Sequence, residues 1–200
     1  MPYATISLSV EPHHRVCILH APDLHGLAHR VADRLGASLS ALTVTMEDAA
    51  LAAPALRDAH TCIVMLPAGC PDAAKINIQL EQLKIPTLFV ERGVDTLRTG
   101  PWCHYGHTAC PACIASIAPC FPAARAQDEG QPLTLDESDT ADRIENTFTA
   151  ILARRSPLVD GAVIHHDGTD RVEYVLKDPL CPVCSTWSRQ PMEALYAHHG

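Results

Sequence analysis

An α/β fold with a partly parallel sheet and flanking helices is the expectation for this 200-residue sequence, and three observations carry it. The apolar runs Thr61–Leu66 and Ile85–Val90 bracket a stretch with Ile76, Leu80 and Leu83 at helical spacing. Strand, helix and strand joined by short connections form a βαβ unit, which makes its two strands parallel. The Ile85–Val90 run does not alternate with polar residues, so that strand is expected to be buried on both faces, with helices flanking the sheet. The third observation is a pair of Cys-x-x-Cys motifs, Cys110/Cys113 and Cys181/Cys184, which adds a four-cysteine zinc staple to the expected fold.

The elements follow in order. Val16–Leu19 is a short apolar run after His13-His14 and reads as a strand. Leu24, Leu27, Ala28, Val31 and Leu35 form a helical stripe, stopped by Gly36 as a C′ residue. Leu39–Thr45 alternates with β-branched residues and reads as a strand, and Ala-rich 48–59 suits a helix that Pro54 can break. After the run ending at Pro67, Pro71-Asp72 opens the helix of the βαβ unit. Residues 99–113 read as a Gly/Pro/His/Cys loop, and 118–137 as a polar crossover or mobile segment. Ser138 or Asp139 can cap a helix whose apolar face is Ile144, Phe148, Ile151 and Leu152. Residues 160–166 and 171–177 suggest a hairpin around Asp167-Gly168, and a short helix from about Pro191 closes the chain.

Composition narrows the setting. With 47% hydrophobic and 19% charged residues the chain is globular, with residues 1–60 a βαβα part and 61–200 the remainder of one structural domain. A formal net charge of -8 without a Lys/Arg cluster argues against a nucleic-acid partner. No apolar run reaches the roughly 18 residues of a membrane span. The start, MPYATISLSVEPHHR, lacks a signal-peptide pattern. Nine cysteines without a secretion signal read as thiols and metal ligands in a reducing cytoplasm.

Two cysteines three apart place both sulfurs on one side of a tight turn, so each pair offers half of a tetrahedral site. Cys110, Cys113, Cys181 and Cys184 together are the ligand set of structural zinc, which leaves no open position for chemistry. The 67 residues between the pairs, 114–180, make the ion a staple between distant segments. Cys103, His104 and His107 give C-H-x-x-H-x-x-C-x-x-C; they are either an alternative ligand set or a polar loop over the knuckle, and the loop is favoured because four ligands already exist. Cys17 and Cys62 lie in apolar strands as small hydrophobes. Cys70 and Cys120 lie in loops and are candidates for reactivity. His13-His14, His165-His166 and His198-His199 read as solvated pairs at element ends or turns, and acidic 128–139 as a solvated loop or a docking segment.

From residue 61 to 184, roughly 125 residues, the order of features resembles the ubiquitin-activating-like superfamily of ThiF, MoeB and HesA adenylyltransferases. The segments that carry the resemblance are CIVMLPAGCPDAAKINIQLEQLKIPTLFV, TGPWCHYGHTACPAC, ADRIENTFTAILARR, DGAVIHHDG and DPLCPVC. The resemblance implies a Rossmann-type fold with ATP on a Gly-rich turn after the first strand. Here that turn is His20-Ala21-Pro22-Asp23-Leu24-His25-Gly26, with one glycine and a proline lacking an N–H. Only Asp72 can match the family's acidic position, and Ala74-Lys75 stands where Thr-Arg is expected. The expected fold is therefore a degenerate ThiF-like Rossmann-type fold without an ATP site, with no catalytic and no cofactor-binding residue assigned.

That combination resembles the non-ATP-binding ThiF-like partners of YcaO cyclodehydratases in thiazole/oxazole-modified microcin biosynthesis. The resemblance implies a zinc-stabilised accessory protein of peptide natural-product (RiPP) azoline or bacteriocin biosynthesis. Such a protein recognises a precursor leader peptide and docks onto or activates the YcaO enzyme. No winged-helix-like peptide module is evident in the first 60 residues. The alternatives are an adenylating or sulfur-transfer ThiF-like enzyme using Cys70 or Cys120, and a non-catalytic homodimeric zinc scaffold.

Overall fold

The structure is a computed structural model and describes residues 14–37, 39–46, 49–117, 136–166 and 170–185. Its centre is a seven-stranded mixed sheet. The strands are β1 (Arg15–His20), β2 (Ser40–Thr45), β3 (Thr61–Pro67), β4 (Thr87–Arg92), β5 (Leu97–Cys103), β6 (Ala162–His166) and β7 (Asp170–Tyr174), in the order β2-β1-β3-β4-β5-β6-β7. The first four in space are parallel, and β5, β6 and β7 add antiparallel. The expected partly parallel sheet with flanking helices is present.

Strand periodicity sorts the core into two layers. Val16, Ile18, Ile63, Met65, Leu88 and Val90 project to one face, where helices α1 (His25–Leu35) and α5 (Glu137–Leu152) bury Leu27, Val31, Ile144 and Phe148 against them. The alternate residues, Cys17, Leu19, Cys62, Val64, Leu66 and Phe89, project to the other face. There they meet Leu56 of α2 (Ala49–Asp58) and Ile76 and Leu80 of α3 (Ala73–Leu83). Because central strands feed both layers, they carry no polar alternation, as the sequence pattern implied. Cys17 and Cys62 are buried neighbours in the β1–β3 register. Helices α1 and α5 are cross-linked by Arg30–Glu137 at 3.1 Å and by Arg34, which reaches Ser138 at 2.9 Å and pairs with Asp142.

Several local expectations are corrected. β5 spans residues 97–103, so the start of the expected loop 99–113 is strand despite Gly100 and Pro101. The strand accommodates them with a cis Gly100–Pro101 peptide and a register shift opposite Leu88/Val90. Gly100 is required there. Its φ is +106°, and a Cβ would lie 2.9 Å from the Ala162 carbonyl oxygen. Gly36 ends α1 in the right-handed helical region, at φ −60°, so it is not a left-handed cap. Pro54 lies inside α2 without ending it. The cap of α5 is Asp136, whose carboxylate accepts from the Asp139 N–H at 2.7 Å, so neither Ser138 nor Asp139 is the cap. His166 is buried in β6, not a solvated loop residue. It pairs with Thr99 at 3.0 Å and Asp170 at 2.8 Å.

The expected closing helix from Pro191, the hairpin turn 167–169, residues 118–135 with Cys120, and His13, His198 and His199 lie outside the described residues. Among the described residues, no helix is long and apolar enough to cross a membrane.

Gly100→Ala is expected to destabilise the chain by about 1–3 kcal/mol, through a backbone region that L side chains avoid and through the clash with Ala162. Gly106, at φ +93° with nothing within 4 Å of an added Cβ, should lose less as Gly106→Ala. Chemical denaturation of the two variants compares them, and equal losses would contradict the close approach at Gly100.

Candidate metal centre

Each cysteine pair is built by a one-turn backbone loop. Cys110 immediately precedes α4 (Pro111–Ile117), and its carbonyl accepts from the N–H groups of Cys113 at 2.9 Å and Ile114 at 3.3 Å. Pro111 suits the first helical position because its missing N–H has no partner there anyway. The second pair follows β7 in the same manner. The Cys181 N–H donates to the Asp178 carbonyl at 3.1 Å, and the Ser185 N–H donates to the Cys181 carbonyl at 3.1 Å. The Asp178 carboxylate orders its own turn by accepting from the Leu180 N–H at 2.8 Å and lies 3.1 Å from Ser116 Oγ of α4. That contact ties one knuckle to the other.

The fold brings the four sulfurs together. Cys110, Cys113, Cys181 and Cys184 are all buried, and their Sγ atoms lie within 4.8 Å of one another. Three separations are 3.9 Å for Cys110–Cys113, 3.7 Å for Cys110–Cys181 and 3.4 Å for Cys113–Cys184. A tetrahedron with metal–sulfur bonds of about 2.3 Å has edges of about 3.8 Å, and bonded sulfurs would stand about 2.05 Å apart. The spacing therefore fits four ligands around one ion. All four are free thiols, so they could hold a metal ion.

The surroundings favour thiolate at one corner. Cys110 is driven down to about 4 by hydrogen bonds from Cys113 and Cys184, with Asn77 adding to them against the opposing effect of burial. Asn77 is fully buried on α3, and its Nδ2 donates to Cys110 Sγ at 3.4 Å. Its Oδ1 in turn accepts from the Tyr105 hydroxyl at 3.3 Å. Burial, reinforced by the neighbouring thiols Cys103 and Cys110, holds Tyr105 well above its ordinary value, so it stays a neutral donor. An amide that donates to a ligating sulfur orients and partly neutralises it. Sequence reading passed over Asn77 and Tyr105. The available signal was a polar residue beside Ile76 and Leu80 on the buried face of an otherwise apolar helix.

Cys103, His104 and His107 do not join the cluster. Burial pushes the Cys103 thiol well above its ordinary value, the nearby cysteines add to this, and its Sγ donates to the Ala109 carbonyl at 3.5 Å. His104 and His107 are exposed with ring centroids 4.8 Å apart, on a turn closed by Thr108, which donates to the Trp102 carbonyl at 2.7 Å. Cys70 is half-buried in the turn after β3 and packs against the core of the α3 face.

At the opposite side of the sheet, the turn after β1 is closed rather than cradle-like. A 3-10 turn, Pro22–Leu24, leads into α1, and the rings of His20, His25 and His29 meet in series, tilted and edge-on, with centroids 5.3 and 4.3 Å apart. Burial lowers the pKa of His20, with His25 and His29 adding to this, against the hydrogen bond that its Nδ1 donates to the Ala21 carbonyl. A Cβ on Gly26 would lie 3.5 Å from a carboxylate oxygen of Glu137, so a negative group faces the start of α1.

No protein-family model matches the chain, and no curated protein matches it in sequence. Solved structures do share its fold. The heterocyclase TruD superposes with a TM-score of 0.61 at 17% identity, over 87% of this chain and 28% of TruD. E. coli MccB superposes with a TM-score of 0.62 at 14% identity, over 90% of this chain and 67% of MccB. MccB solved with selenomethionine-labelled MccA gives 0.59 at 13% identity, over 86% of this chain and 67% of that one. The chain thus spans less than a third of the heterocyclase. At these identities the likeness is one of fold.

Replacing Asn77 by Leu removes the donor to Cys110 and leaves the Tyr105 hydroxyl without that partner. The expected loss in urea denaturation is about 1–3 kcal/mol, with Tyr105→Phe milder at about 1 kcal/mol. Unchanged midpoints for both would show that the amide does not support the sulfur cluster.

Proposed function

We propose that this chain is a zinc-stapled, catalytically incomplete ThiF-like accessory protein of RiPP azoline biosynthesis. In this reading it recognises a precursor leader peptide and docks onto or activates a YcaO-type cyclodehydratase. Residues 1–60 and 61–200 act as parts of one domain, with Cys110, Cys113, Cys181 and Cys184 holding structural zinc. The observation that carries the reading is the buried four-sulfur cluster, set in a fold shared with the heterocyclase TruD and E. coli MccB. The turn after β1 points the same way. The resemblance expects phosphate to meet backbone N–H groups after the first strand; here that turn carries Pro22, which has no N–H, and a Glu137 carboxylate oxygen lies 3.5 Å from where a Cβ of Gly26 would stand. A peptide partner is supported by MccB having been solved with MccA. The metal's part is architectural: four thiolates leave no open coordination position, so function resides in the surfaces the staple holds.

Two experiments test the reading. Elemental analysis of the purified chain should find one zinc per chain. Because closed thiolate sites couple metal to folding, Cys110→Ser and Cys181→Ser should each lose it and yield insoluble or unfolded protein. Full solubility with unchanged melting in both variants would sink the staple. Co-expression with a YcaO protein encoded beside this gene should give a complex whose azoline formation depends on this chain. Pyrophosphate exchange into ATP by the chain alone would instead favour an adenylating enzyme.

A further inference from the structure

We propose that the outer edge of β7 is an isologous docking surface for a second copy of this chain, joining two seven-stranded sheets into one across a two-fold axis at Val172. Four observations lead there. First, β7 ends the sheet, and among the described residues no strand lies beyond it. All five of its residues are exposed, with Val172 at 44% and Tyr174 at 66%. A long exposed edge is a pairing template unless something covers it.

Second, the ladder direction fixes which backbone groups are available. The Val175 N–H donates to the Gly161 carbonyl at 2.9 Å, next in register to the Ala162↔Tyr174 pair. In an antiparallel ladder hydrogen-bonded and non-hydrogen-bonded pairs alternate. Glu173 and Arg171 therefore turn their backbone groups toward β6, and Asp170, Val172 and Tyr174 turn theirs outward.

Third, those outward residues are symmetric about Val172. In a two-fold antiparallel pair, Val172 meets Val172 of the second copy, and Asp170 and Tyr174 meet each other. Every outward N–H and C=O then finds a partner.

Fourth, the side chains are self-complementary in the same register. Arg171 faces Glu173 of the second copy, and Glu173 faces its Arg171. These are non-hydrogen-bonded pairs, where opposed side chains approach most closely. Both lie on the sheet face that carries His165, whose Nε2 sits 3.0 Å from Glu173 Oε2. On the other face, the Asp170 carboxylate is engaged by His166 and Arg143 at 2.8 Å each, so it brings no unpaired charge to its neighbour Tyr174. A displaced register would oppose Arg171 to Arg171 or Glu173 to Glu173, which disfavours it. The proposal does not rest on the metal or on the peptide-modifying role.

Sedimentation equilibrium of the full chain over a concentration series should show a monomer–dimer equilibrium. Arg171→Glu alone places two acidic pairs across the interface, and Glu173→Arg alone places two basic pairs. Each should weaken the dimer at least about tenfold, with circular dichroism unchanged because the sites are exposed. Mixing the two variants should restore dimers, since each chain then meets its opposite, and the double exchange R171E/E173R should restore the homodimer. A monomer at every concentration would overturn the proposal. A dimer indifferent to both single changes would also overturn it, because it would use another surface.

Discussion

The C-terminal half of this fold depends on four cysteine sulfurs buried within 4.8 Å of one another. Thiols at that spacing hold one another only weakly, since each is a weak donor and a weak acceptor. Removing them from water raises the cost of any thiolate that lacks a positive neighbour. A dication resolves both problems, and the Asn77 amide supplies a further donor at Cys110. Cys110 and Cys181 are 71 positions apart, so the cluster closes a long loop that contains α5 and the β6–β7 hairpin. Loop-closure cost grows only slowly with length, so an ion held by these four sulfurs would close that loop at little more cost than a short one.

The cluster also sets where the two faces of the sheet differ. On the α3 side, the sulfurs are continuous with the apolar layer of Val64, Leu66, Leu80 and Phe89. On the other side, α5 returns across the sheet beside α1, tied there by Arg30 and Arg34. That placement brings Glu137 against Gly26. The same helix that completes the second layer thus sets a carboxylate, paired with Arg30, beside the turn after β1.

The parallel part of the sheet was legible because its signal is redundant. Unbroken apolar runs at Thr61–Leu66 and Ile85–Val90 with a helical stripe between them have few other solutions. The cysteine spacing was legible for the same reason. What escaped was context-dependent. β5 was hidden because Gly100 and Pro101 argue against a strand, and only the neighbouring Ala162 carbonyl and the bulge opposite Leu88/Val90 explain their presence. His166 looked like a turn residue, yet Thr99, Arg143 and Asp170 come from three other elements to satisfy it. Asn77 and Tyr105 meet Cys110 only through tertiary packing, which no local pattern contains. Asp136, one position before Glu137, outcompetes Ser138 and Asp139 as a cap because chain entry, not residue type, selects among adjacent good caps.

X-ray absorption at the zinc edge of the purified chain tests the central claim most directly. Four sulfur neighbours at about 2.3 Å, with no nitrogen or oxygen in the first shell, is the result this account predicts. A first shell containing imidazole nitrogen, which would bring in His104 or His107, would contradict it. So would sulfurs paired with each other at about 2.05 Å.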